Sequence, residues 1–136
     1  MPRNLTVLLA ALVVLAPAAL AGCGGGSDKT VRTKGNLGVT DNLKVAQDDA
    51  DIQEFCNLAS TPKGDLYDRA LFSVIAATDD LIIVYKKHPD GTYYDALKKR
   101  EIKLKQFASD EAKKLSGCGK DGKTQATKLT QALQTK

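Results

Sequence analysis

The sequence contains no tryptophan, a single histidine and a single methionine, and only 5% of its 136 residues are aromatic. One histidine, His88, and three cysteines give no recognisable metal-ligand spacing, so no metal is expected. Axial haem ligation would fall to His88 or a tyrosine, because the only methionine is Met1; no cofactor is expected either. The length excludes barrels, two-domain hydrolases and most cofactor folds, leaving one domain at most. Neither sign of charge dominates overall, with 20 Lys and Arg against 16 Asp and Glu.

Charge is missing altogether from Leu5 to Leu15. This run follows Arg3 and precedes Pro17 and the small residues Ala18, Ala19, Ala21 and Gly22. A basic start, an apolar centre and a small-residue end make residues 1–22 an export signal. An uncleaved membrane helix is the alternative, but Leu5–Gly22 barely reaches the roughly 20 residues a span needs, and Pro17 interrupts it.

Leu20-Ala21-Gly22-Cys23 resembles the lipobox of bacterial lipoproteins: a Leu, two small residues and an obligatory Cys. The resemblance covers residues 1–23 only. It implies that the Cys23 thiol receives a diacylglyceryl group, that cleavage falls just before it, and that the mature chain hangs from a membrane outside the cytoplasm. Two acyl chains are needed for lasting attachment, since one holds only marginally at about 0.8 kcal/mol per buried CH₂. With Cys23 lipidated, Cys56 and Cys118 remain as a natural pair; a disulfide is expected between them outside the cytosol, with two free thiols as the alternative.

Residues 23–47 read as the lipidated Cys followed by a flexible linker, opening with Gly24-Gly25-Gly26-Ser27 and showing no sustained period. Residues 48–136 read as an all-α domain, a small antiparallel three- to four-helix bundle. Helix one is expected over Asp48–Ala59, helix two over Asp65–Lys87 with Asp65 as N-cap, helix three over Thr92–Ser116 and helix four over Lys123–Gln134. Helix two carries Tyr67, Leu71, Val74, Ile75, Thr78, Ile82 and Tyr85 on one stripe and Phe72, Ala76 and Ile83 on a second, which predicts a central helix with neighbours on two sides. Helices two and three are expected to form a long hairpin. Antiparallel packing then brings Cys56 and Cys118 to one end of the bundle.

No catalytic set emerges, and the chain is not expected to be an enzyme. Ser60-Thr61-Pro62-Lys63 matches S-x-x-K, but Pro62 disturbs the helix that motif needs and no S-D-N or K-T-G partner exists. His88, in a His-Pro-Asp-Gly turn, reads as a solvated turn residue. Asp79 and Asp80 point to different sides of their helix and cannot easily share a proton. Asp79 is expected to pair with a Lys of helix three, and Asp80 to be solvated.

The distinctive feature is basic. From Leu66 to Lys136 there are 14 Lys and Arg against 9 Asp and Glu. Lys98, Lys99, Arg100, Lys103 and Lys105 stud the expected helix three. They offer a face for an anionic envelope polymer, a membrane surface or an acidic protein partner; nucleic acid is not expected for an exported chain. The reading is a non-enzymatic envelope binding module. Its alternative is a carrier of an apolar or aromatic ligand, with a pocket between helices two and three lined by Tyr67, Tyr85, Tyr93 and Tyr94.

Overall fold

The computed structural model describes residues 36–135. The expected export signal, Cys23 and the glycine-rich start of the expected linker lie outside the described residues. A compact unit spans Lys34–Lys136 and holds the whole described core and both sulfurs of the disulfide.

The unit is helical, as the sequence predicts. Helix α1 covers Val39–Leu58, α2 Asp65–Lys87, α3 Leu104–Ser116 and α4 Gly119–Gln134. A two-stranded hairpin, β1 Thr92–Asp95 and β2 Arg100–Lys103, stands between α2 and α3. Contacts along the helices fix their directions. Asp41 meets His88 and Phe55 meets Tyr67, so α1 and α2 are antiparallel. Tyr67 meets Asp121 and Asp79 meets Lys128, so α2 and α4 run the same way. The bundle is therefore up-down-up-down, with α1 packed along α2, α3 along α4, and α4 laid back on α2.

The helix expected to start at Asp48 starts at Val39, so the expected linker overlaps the fold at its end. Leu37, only 1% exposed, seals the core ahead of it. The buried residues of α1 are Asp41, Val45, Asp48, Ile52 and Phe55, a strict three- and four-residue repeat. Two of the five are aspartates, which hides the repeat from any apolar count.

Thr92–Ser116 is not one helix. Its first twelve residues form the hairpin, with Ala96–Lys99 as the loop. Short helix-forming residues at the loop conceal it, and strands of four residues are too short to show alternation. Asp95 holds the turn by accepting the backbone N–H groups of Leu97 and Lys98 at 3.1 and 3.2 Å. Because the hairpin takes this segment, the long α2–α3 pairing gives way to two shorter pairings, α1–α2 and α3–α4.

Helix α2 matches its expected range, but Gly64 and not Asp65 is its N-cap. Its buried face is Tyr67, Ala70, Val74, Ala77, Thr78, Leu81, Val84 and Tyr85. The second stripe does not find a neighbour: Phe72 and Ile83 are 76% and 62% exposed. Helix α4 begins four residues earlier than expected, at Gly119, whose φ of +76° suits glycine. At Gly122 a Cβ would lie 2.4 Å from the Leu115 carbonyl oxygen, so glycine there permits the close α3–α4 crossing.

Cys56, in the last turn of α1, is bonded to Cys118, at the head of α4, with Cα atoms 5.0 Å apart. The cross-link ties the α1 end to the α3–α4 corner, beside the buried Phe55, Tyr67 and Leu115.

Candidate functional site: a basic hairpin and a neighbouring groove

The five basic residues singled out in the sequence do not share a helix face. Lys98 and Lys99 occupy the hairpin loop, Arg100 and Lys103 the two ends of β2, and Lys105 the first turn of α3. All five are exposed. Arg100 and Lys103, three apart on a strand, project from opposite faces of the ribbon. The cations thus surround the hairpin. At its tip Leu97 is 93% exposed, between Ala96 and the Lys98-Lys99-Arg100 run.

This hairpin is fixed in place although its tip is solvated. Asn42 of α1 donates its side-chain N–H to the Tyr94 carbonyl at 2.9 Å and accepts the Tyr94 N–H at 2.8 Å. The amide therefore pairs with the β1 edge as a further strand would. Tyr93, the inward neighbour, packs on Phe107 with ring centroids 4.7 Å apart. Lys99 holds a positive φ of 51°, which sharpens the turn. Among the described residues, none of Lys98, Lys99, Arg100 and Lys103 forms an ion pair.

His88 is not a solvated turn residue. It is half-buried, and its Nε2 lies 2.9 Å from the Asp41 Oδ2, which also takes Lys87 at 3.2 Å. Burial works to raise the Asp41 pKa, but the hydrogen bonds from His88 and Lys87 outweigh it and carry the carboxyl below its ordinary range. The end of α2 is thereby locked to the start of α1.

Asp79 and Asp80 also differ from expectation. Asp79 is ion-paired with Lys128 of α4, not with a lysine of α3. Asp80 is half-buried opposite Asp48 across the α1–α2 interface. Asp48 is 5% exposed; burial, then the facing Asp80 carboxyl, push it up to about 9. A second pair joins α1 to α3. Glu111, 2% exposed, faces Asp49 and lies 3.1 Å from Lys114 Nζ. Burial and the Asp49 carboxyl push Glu111 up to about 8. Both shifts favour the protonated acid, and both groups sit in helix interfaces rather than in the grooves described below. Among the described residues, no group of three or more His, Cys, Asp or Glu is arranged to hold a metal ion.

Ser60 and Lys63 lie in the exposed α1–α2 connection, where Lys63 Nζ stands 5.5 Å from the centroid of the Tyr67 ring. The four tyrosines do not converge. Tyr67 packs on Phe55 and donates to Asp121 at 2.5 Å; that bond, then burial, push its pKa up to about 12. Tyr93 is in the core and Tyr94 on the hairpin. Only Tyr85 of the four borders a cleft of about 880 Å³ between the last turn of α2, the start of α3 and the end of α4. The four-tyrosine lining expected between helices two and three is not found; this cleft takes Tyr85 from α2, Lys105 and Ser109 from α3 and Thr130 and Leu133 from α4, separate elements that no local pattern joins.

Among the described residues, no helix is long and apolar enough to cross a membrane. No family model, no curated protein and no solved structure matches the chain.

Proposed function

We propose that the protein is a non-enzymatic binding module of the cell envelope. A lipid on Cys23 holds it to a membrane on the outer side of the cytoplasmic boundary, and the basic hairpin meets an anionic envelope polymer or an acidic protein. The observation that carries this reading is the hairpin tip. An almost fully exposed Leu97, beside three cations that have no ion-pair partner among the described residues, contributes nothing to the core, yet Asp95 and Asn42 hold the turn. A fixed turn loses little entropy on binding, and its charges steer an anionic partner toward it. The export signal and lipobox support the location.

Reversing Lys98, Lys99 and Lys103 to Glu leaves the core untouched, because all three are exposed. Retention of the 34–136 unit on envelope material is expected to fall about tenfold or more at low ionic strength, and wild-type retention to weaken as salt screens the contact. Pull-down with mass spectrometry measures it. Equal retention of the two proteins at every salt concentration sinks the reading.

A further inference from the structure

We propose that the α2–α3–α4 cleft binds a small organic anion with an apolar body, a medium-chain or aromatic carboxylate. This goes beyond the hairpin reading and does not depend on it. The cleft, about 880 Å³, falls within the range of small-molecule sites. Tyr85, Pro89 and Leu133 supply its hydrocarbon surface, and Lys86 and Lys105 supply its charge. Among the described residues, no Asp or Glu lines it.

Three arguments select the ligand. First, neither Lys86 nor Lys105 has an ion-pair partner among the described residues. Two like charges at one cleft repel a cation and are relieved by an anion, which rules out cationic ligands. Second, lysine stems are themselves apolar, so a carboxylate at their tips leaves the ligand's body against Tyr85, Pro89 and Leu133. A bare inorganic anion would leave that surface wet. Third, hydroxyls of Ser109 and Thr130 border the same space and can donate to a carboxylate. The charge and the apolar surface come from three different helices, so the site exists only in the assembled bundle.

The test uses the ¹⁵N-labelled 34–136 unit, which contains the entire described core and the disulfide. It is titrated separately with sodium octanoate, octan-1-ol and inorganic phosphate. Octanoate is expected to give saturable amide shifts centred on Ser109, Thr130 and Leu133. The Lys86→Glu, Lys105→Glu double variant, exposed at both positions, is expected to bind octanoate about tenfold more weakly or worse, as loss of charge-assisted contacts requires. Octanol and phosphate are each expected to bind more weakly than octanoate. Reversal of Lys98 and Lys99 alone, in the hairpin loop, is expected to leave octanoate affinity within about twofold, since exposed charges beyond a Debye length are screened; Lys103 is kept, because it borders a groove with Lys105 and Ser109, and failure of the hairpin reading leaves this one standing. Shifts centred elsewhere, shifts that never saturate, or equal binding of octanoate by the double variant would each overturn the proposal.

Discussion

Reducing the Cys56–Cys118 disulfide is expected to cost the folded unit about 4 kcal/mol, the chain-entropy value for a loop of this length. The bond joins residues 62 apart in sequence. It links the end of α1 to the corner between α3 and α4, two regions that the chain otherwise connects only through α2 and the hairpin. In a unit of about 100 residues, 4 kcal/mol corresponds to a fall in Tm of about 20 °C. The loss matters more here than in a larger protein, because two of the five inward positions of α1 are aspartates and the apolar core is correspondingly small. Thermal unfolding followed by circular dichroism, with and without reductant and on the Cys56→Ser, Cys118→Ser variant, measures it. A drop of only a few degrees would show that packing alone holds the α1 end.

The unit is also expected to gain stability on acidification from pH 8 to pH 5, the reverse of ordinary acid lability. Asp48 and Glu111 have folded pKa values raised to about 9 and about 8. Unfolded, both titrate near their ordinary values of 3.8 and 4.5. Between the two sets of values the native state holds protons that the unfolded state releases, so stability falls as pH rises through that window. Each carboxyl contributes at most about 1.4 kcal/mol per pH unit there; with two coupled pairs sharing protons, a net change of about 2 kcal/mol or more is expected between pH 5 and pH 8. Asp41 and Asp49 act in the opposite sense: their lowered values stabilise above the ordinary carboxyl range and are lost below it. Maximum stability therefore falls near pH 4 to 5, by the same linkage. Urea unfolding across this range tests the sign. In the Asp48→Asn, Glu111→Gln variant both groups are permanently neutral, so the slope should flatten and stability at pH 8 should exceed that of the parent. A parent whose stability rises from pH 5 to pH 8 contradicts the assignment of protonated interior carboxyls.

These same acids explain how much of the fold could be read in advance. The range of α2 was legible because apolar residues recur through it and Gly64 and Pro89 punctuate its ends, but its N-cap and the exposure of Phe72 and Ile83 were not. The Cys56–Cys118 pair was legible because both cysteines sit at helix ends that antiparallel packing must bring together. The first half of α1 was not, since Asp41 and Asp48 occupy positions where a leucine would have announced the helix. Their burial depends on partners from other elements, His88 and Lys87 for the one and Asp80 for the other, which no local pattern reveals. The hairpin was hidden for a different reason. Tyr93 and Leu97 are four apart and apolar, as on a helix face, but Leu97 points to water and the turn depends on Asp95. The basic residues were found, and their display on a hairpin was not. The cleft beside α3 is a property of three helices together, so only its separate walls were visible in the sequence.

The functional reading stands on where the domain is held, and that is decided by how three sulfurs are divided. Two of them are joined within the bundle; the third, on Cys23, is proposed to carry the lipid. Intact mass analysis of the native protein, extracted from cells without reductant, tests this division directly. The predicted result is a chain beginning at Cys23, heavier by a diacylglyceryl group and lighter by the two hydrogens of one disulfide. A chain that still begins at Met1, with no lipid and three free thiols, would contradict it.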